Sequence, residues 1–170
     1  PEMASGMARL CGRADIVVPN MTEAHHLLER EYDPGPYTRQ QIEGILKGLC
    51  ALGPRMAVLT GVWLKEGSLG TACYDAATGE AELYLTDRIE GFYHGTGDLF
   101  ASALLGGLLN GMSLNAACET ATEFTWRTIE TTHEKCADHR FGPKFECHLP
   151  WLGEKMEACR KTIANPVDLR

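Results

Sequence analysis

The chain has 170 residues, 44% of them hydrophobic and 23% charged, and its 16 Lys+Arg against 23 Asp+Glu give a net charge of −7. That size and balance suit a single soluble globular domain, residues 1–170, able to build a core without disulfides, and they exclude disordered, collagen-like and coiled-coil chains. The acidic balance also argues against a broad nucleic-acid or anionic-membrane surface, since both need clustered Lys and Arg.

In chain order, Pro1–Leu10 reads as the start of a helix, with Pro near its first position and Glu2 in its first turn, and Gly12 ends it. A chain that opens in this way is expected to be the middle of a longer gene product. Asp15–Val18 is a short β-branched run closed by Pro19, the pattern of a buried parallel strand. Helical spacing resumes over Thr22–Arg30, and Tyr32–Tyr37, with two Pro and a Gly, is a loop. Thr38 and Gln41 form a capping-box pattern before a helix with an apolar face of Ile42, Ile45, Leu46, Leu49 and Leu52, stopped by Gly53-Pro54. Met56–Thr60 is a second buried strand. Leu69–Asp75 and Glu80–Thr86 flank Ala76–Gly79 as a hairpin. A Gly-punctuated loop, Gly91–Gly97, leads into a helix from Asp98 to about Asn110, and Ser113 caps a long one bearing Leu114, Ala117, Cys118, Ala121, Phe124 and Ile129. His139–Trp151 is irregular, and Gly153–Ile163 closes the chain as a helix.

The longest apolar run, Phe100–Leu109, is about half of what a membrane helix needs. No charged segment followed by an apolar one opens the chain, so no signal peptide is expected. Seven scattered cysteines, an odd number with no C-x-x-C, read as thiols of a reducing compartment, which makes the cytoplasm the default location. Strand–helix–strand alternation followed by a hairpin and two helices predicts an α/β fold: a mostly parallel sheet with an antiparallel portion, covered by helices. Ligands of such sheets collect at the carboxyl ends of strands.

Three short signals fall there. Gly95-Thr96-Gly97-Asp98 stands where a loop becomes a helix. Its glycines let successive N–H groups point outward into an anion pocket, beside which Asp98 can take a proton from an attacking hydroxyl. Alone, the tetrapeptide reads more simply as a flexible turn with Asp98 as the helix N-cap. Asn20-x-x-Glu23 follows the first strand and could hold a hydrated Mg²⁺ and orient phosphates, although in isolation it reads as a cap with a dipole-complementing Glu. Thr60-Gly61 after the second strand offers a hydroxyl and bare backbone to a phosphate chain; alone it is a strand-ending turn.

Their order changes the reading. Strand-Asn-x-x-Glu, strand-Thr-Gly and Gly-x-Gly-Asp opening an apolar helix together resemble the ribokinase-like small-molecule kinases, and within them the pyridoxal kinases. The resemblance is carried by Ala14–Ala24, Val58–Val62, Tyr93–Ser102 and the tail Phe141–Glu146, and it extends from Pro1 to about Leu152. It implies a three-layer ribokinase-like sandwich lacking the family's N-terminal half, with ATP and Mg²⁺ as co-substrate and cofactor and room for a monovalent cation. The implied reaction is phosphorylation of the 5′-hydroxymethyl group of pyridoxal, pyridoxine or pyridoxamine. Asp98 is implied as general base and Gly95, Thr96 and Gly97 as the anion hole. Asn20 and Glu23 would organise Mg²⁺ and phosphate, Thr60 and Gly61 would touch ATP phosphates, and Tyr93 would border the nucleotide.

Hydroxymethylpyrimidine kinases resemble the same pattern but usually place Cys where Asp98 stands. A truncated, catalytically silent nucleotide-binding remnant is the other alternative. Implied partners are small molecules, ATP and a B6 vitamer, with no nucleic acid and no membrane. Strand Asp15–Val18 at a raw sheet edge would favour a homodimer or other self-association.

Overall fold

The computed structural model describes residues 2–135 and 142–162, which form two compact units, one up to Leu85 and one from Thr86 onward. The positions of Pro1, His139, Phe141 and Ile163 in the predicted segments therefore lie outside the described residues.

The first unit carries α1 (Glu2–Cys11), β1 (Ile16–Val17), α2 (Met21–Leu27), α3 (Arg39–Ala51), β2 (Met56–Val62), β3 (Ser68–Asp75) and β4 (Glu80–Asp87), whose last two residues belong to the second unit. The four strands form one mixed sheet in the order β1-β2-β3-β4. β1 runs parallel to β2, with Ile16 opposite Met56 and Val17 opposite Ala57, and β2 runs antiparallel to β3. Parallel pairing is thus confined to β1–β2, because the remaining strands are joined by short turns that reverse the chain. Arg55 ties the start of β2 to the end of β3 through two bonds to Asp75, Nε to Oδ1 at 3.2 Å and Nη2 to Oδ2 at 3.0 Å.

The core of this unit is set by helix and strand periodicity. Ile42, Ile45, Leu46 and Leu49 of α3 are buried together with Ala57, Leu59 and Val62 of β2 and Ala72 of β3. Met56 and Val58, on the opposite face of β2, are buried as well, which is why this strand reads as a continuous apolar run. The capping box of α3 forms as its sequence predicts: Thr38 Oγ1 accepts from the Gln41 N–H, and Gln41 Oε1 accepts from the Thr38 N–H at 2.8 Å.

Two boundaries of the first unit differ from the sequence reading by more than one residue. Helix α2 stops at Leu27, short of Arg30, because Glu29 adopts φ +52 and closes a Schellman motif: the Glu29 and Arg30 N–H groups donate to the His26 and His25 carbonyls at 3.2 and 2.9 Å. Strand β2 runs past Thr60 to Val62, since Gly61, at φ +72, is the extra residue of a β-bulge and the ladder resumes after it. A Cβ at Gly61 would meet nothing within 4 Å, so the glycine is required by backbone conformation and not by space.

The second unit is helical beyond β4: α4 (Thr96–Leu109), α5 (Leu114–Lys135), a 3₁₀ turn (Glu146–His148) and α6 (Leu149–Thr162). Phe100, Ala103, Leu104, Gly107 and Leu108 form the buried stripe of α4 at helical spacing, and α5 answers with Ala117, Cys118, Ala121 and Phe124. A Cβ at Gly107 would sit 3.1 Å from Ala117 Cβ, so the helices approach through two small residues. Ser113 Oγ accepts from the Ala116 N–H and caps α5 as predicted. Helix α6 begins at Leu149, four positions before the predicted Gly153, because Pro150 is compatible with a first helical turn. Among the described residues, no helix is long and apolar enough to cross a membrane.

Candidate functional site

The predicted site residues fall into two groups, one in each unit. In the first, the parallel pairing of β1 and β2 brings their carboxyl ends side by side. Asn20 forms a parallel bridge with Thr60, and the Thr60 N–H donates to the Pro19 carbonyl at 3.1 Å. Gly61 follows on the bulge, exposed and bare. Asn20, Glu23, Thr60 and Gly61 thus share one strand-end surface, where open α/β sheets take ligands.

Their side chains are partly committed. Asn20 Oδ1 accepts from the Glu23 N–H at 2.9 Å, while Glu23 Oε2 accepts from the Asn20 N–H at 2.9 Å, a reciprocal capping box for α2. The simpler reading of Asn20-x-x-Glu23 is therefore fulfilled in geometry, with two groups left over. Glu23 keeps Oε1 for another partner, and the Asn20 amide keeps its two N–H donors. That set suits Mg²⁺, which takes one or two carboxylates, substrate phosphates and water in place of a full protein cage. Among the described residues, no group of three or more His, Cys, Asp and Glu side chains is gathered for a metal.

In the second unit, the loop before α4 delivers its residues by backbone conformation. Gly95 is the N-cap of α4, at φ +82 and without a capping side chain. The helix therefore starts at Thr96, and Asp98 sits at its third position. The reading of Asp98 as N-cap is corrected by this register: Gly95 takes that place because a left-handed cap has no Cβ strain at glycine. The first intrahelical acceptor is the Gly95 carbonyl, which receives the Leu99 N–H at 3.0 Å. The N–H groups of Thr96, Gly97 and Asp98 then remain as outward donors at a helix N-terminus, where the macrodipole adds partial positive charge.

The Asp98 side chain is exposed, and among the described residues its carboxylate takes part in no hydrogen bond or ion pair. Its own carbonyl accepts from Ser102 Oγ at 2.7 Å, which braces the first turn. A bare carboxylate beside three bare N–H donors can accept a proton while the donors hold an anion.

Tyr93 is committed to the loop itself. Its hydroxyl lies 3.0 Å from the Glu90 carbonyl and 2.8 Å from His133 Nδ1, and its carbonyl accepts from Thr96 Oγ1 at 3.1 Å. Desolvation pushes its phenol above the ordinary tyrosine pKa. Arg88 is half exposed and 3.8 Å from Glu90, a surface pair. The sequence reading missed His133 and Trp126, whose Nε1 donates to the Asp87 carbonyl at 2.9 Å; the only signal for them is their spacing of seven along α5.

A family model described as phosphomethylpyrimidine kinase matches residues 2–144. The pyridoxal kinase of Lactobacillus plantarum is similar, with 30% identity and a TM-score of 0.77 over 91% of this chain and 55% of that one. A Bacteroides thetaiotaomicron protein, named as a candidate phosphomethylpyrimidine kinase, matches 99% of this chain and 54% of its own at 26% identity and TM-score 0.80. A second crystal form of that protein was solved with pyridoxal. An ADP complex of Bacillus subtilis pyridoxal kinase matches 76% of this chain and 50% of its own, at 28% identity and TM-score 0.66. No curated protein matches the sequence. The chain spans about half the length of these solved relatives.

Proposed function

The chain belongs to the phosphomethylpyrimidine kinase family, and from that membership we propose that it carries the phosphate-handling and proton-accepting part of an ATP-dependent kinase. The acceptor in this reading is the 5′-hydroxymethyl group of pyridoxal, pyridoxine or pyridoxamine. One observation carries it: the unpartnered Asp98 carboxylate in the same helical turn as the open N–H groups of Thr96, Gly97 and Asp98. The pyridoxal in a structure similar to this chain and the ADP in another support the two substrate classes.

In the proposed reaction Asp98 accepts the hydroxyl proton as that oxygen forms its bond to the γ-phosphorus, and the bond to the bridging oxygen breaks to release ADP. The Gly95–Gly97 loop and the helix N-terminus hold the negative charge on the equatorial oxygens through the transfer. Glu23 Oε1 would hold Mg²⁺, which when bound neutralises phosphate charge. Asn20 would donate its amide N–H to a phosphate oxygen, and Thr60 with the bare backbone of Gly61 would offer a further phosphate contact. With its hydroxyl engaged, Tyr93 has only its ring to offer a nucleotide.

A hydroxymethylpyrimidine acceptor is the second reading, favoured by the description of the matched family. Asp98, where such kinases resemble this pattern with Cys, favours the pyridoxal reading.

The experiment is product formation with Mg-ATP and pyridoxal or hydroxymethylpyrimidine, beside the Asp98→Asn variant. A general base contributes about 10²–10⁴-fold, so the variant should lose that factor in turnover while keeping Mg-ATP affinity. Turnover retained by Asp98→Asn overturns the base assignment, and lost nucleotide binding makes Asp98 a structural residue. A folded wild-type chain that binds nucleotide but yields no product shows that these 170 residues alone do not complete the transfer.

A further inference from the structure

The Gly91–Gly97 loop is fastened from one side. Helix α5 presents Trp126 and His133 seven residues apart, hence on one face and about 10 Å apart along the axis. Trp126 Nε1 donates to the Asp87 carbonyl at 2.9 Å and His133 Nδ1 meets the Tyr93 hydroxyl at 2.8 Å, so both ends of segment 87–93 are pinned to the same helix. An extended segment of that length could reach about 20 Å, so the pins leave it slack enough to curve and leave its two ends fixed.

One polarity of the second pin satisfies both contacts of the Tyr93 hydroxyl. The Tyr93 hydroxyl has one proton, and the Glu90 carbonyl 3.0 Å away can only accept it. With that proton donated to the Glu90 carbonyl, the His133 tautomer protonated at Nδ1 is the one that satisfies both contacts. From Tyr93 the chain of bonds continues to the cradle, because the Tyr93 carbonyl receives Thr96 Oγ1 at 3.1 Å and Thr96 is the first helical residue of α4. The ring also closes on Gly91, where a Cβ would come within 2.9 Å of it, at a backbone φ of +132. Hydroxyl, carbonyl and ring of Tyr93 are thus all engaged in fixing the approach to Gly95.

We propose that His133 is a positioning residue for the anion cradle: through Tyr93 it fixes the orientation of the Thr96–Asp98 N–H groups and of the Asp98 carboxylate. The proposal rests on reading that helix start as the phosphoryl-binding turn, yet the pinning itself can be measured without activity.

The test uses ¹⁵N spectra of the 170-residue chain, with heteronuclear NOE values over residues 93–98 as the measure of backbone order and titration with inorganic pyrophosphate. A hydrogen bond of net ordinary strength corresponds to about a threefold to tenfold effect. His133→Leu and Tyr93→Phe should each lower the NOE values over residues 93–98 and raise the pyrophosphate dissociation constant by that factor, and the double variant should be no worse than the poorer single one. His133→Asn, whose amide N–H₂ takes the place of Nδ1–H, should restore both readouts. Wild-type NOE values and binding in His133→Leu, or no rescue by asparagine, would overturn the positioning role. Should His133→Leu fail to fold, Tyr93→Phe decides by the same readouts. If pyrophosphate shifts no amide of the wild type while His133→Leu still lowers the NOE values, the phosphate reading falls and the positioning role stands.

Discussion

Replacing Asn20 by alanine and by aspartate separates its two duties. Asn20 Oδ1 caps α2 by accepting the Glu23 N–H at 2.9 Å, and its amide N–H₂ is the group assigned to a phosphate oxygen. Alanine removes both. Losing a cap of this kind costs about 1 kcal/mol, with a range of about 0.5–2. That corresponds to a fall in melting midpoint of about 2–8 °C, the lower part applying if the whole chain melts as one unit. The Glu23 Oε2 bond to the backbone N–H of position 20 survives in the variant, so the loss is that of one cap bond.

Aspartate keeps an oxygen in the capping place and ranks with asparagine there. Its charge gains about 0.3–1 kcal/mol from the helix N-terminus, offset by repulsion from Glu23 of about 1 kcal/mol if the carboxylates stand near 4 Å in water-like surroundings. Its melting midpoint should therefore stay near wild type. For the ligand the change is a reversal, from donor to acceptor and from neutral to negative. An anion–anion term of about 1.4 kcal/mol, tenfold in affinity, is the expected penalty toward inorganic pyrophosphate without Mg²⁺, a probe that leaves out the attraction of a new carboxylate for the metal. Thermal melting by circular dichroism and calorimetric titration with metal-free pyrophosphate read the two effects separately. An Asn20→Asp variant that binds metal-free pyrophosphate as tightly as wild type would show that Asn20 is a cap and nothing more. An Asn20→Ala variant with an unshifted midpoint would refute the cap reasoning.

Glu29 is a non-glycine residue at φ +52 in the closing position of a Schellman motif, so Glu29→Gly should stabilise the chain by about 0.5–1 kcal/mol, seen as a raised denaturant midpoint; an unchanged or lower midpoint would count against strain there. The Asp75 carboxyl is held below the usual carboxylate pKa chiefly by its hydrogen bonds from Arg55, with the Ala77 N–H adding to this and burial opposing it. Its contribution is present in full above the unfolded carboxylate pKa of about 3.9 and is lost as pH falls through the lower folded value. Because the Arg55 side chain is half exposed, this contribution is about 1 kcal/mol or less, and urea melts should show the gap between wild type and Asp75→Asn closing below about pH 4.

How far the sequence reached is clearest at the two groups of site residues. Asn20-x-x-Glu23 and Thr60-Gly61 could be placed from local pattern, since strand ends and caps are specified by a few adjacent residues. The pairing of Asn20 with Thr60 could be inferred only through the β1–β2 crossover that the alternating elements imply. The bulge at Gly61 was hidden because a glycine after a strand reads as its end, whereas here it lets the ladder continue. The register of α4 was misread by three residues for a related reason: Asp is a better N-cap than Gly by composition, and only the left-handed conformation of Gly95 reverses that preference. The loop's fastening to α5 lay beyond local pattern altogether, because His133 and Trp126 look like ordinary members of a long helix until the fold brings Tyr93 and Asp87 to them.

Those two pins join residues 40 and 39 apart in the chain, while the helix they start from is held by its own i to i−4 bonds. Closing loops of that length costs chain entropy that a single exposed bond does not repay, so the fastening must follow the docking of α5 on α4. During refolding the N–H groups at residues 96–98 should therefore be held in place only after α4 and α5 have docked, an order that stopped-flow circular dichroism beside pulse-labelled ¹⁵N spectra would check. The turn proposed to hold phosphate should thus order only after the helix pair that supports it.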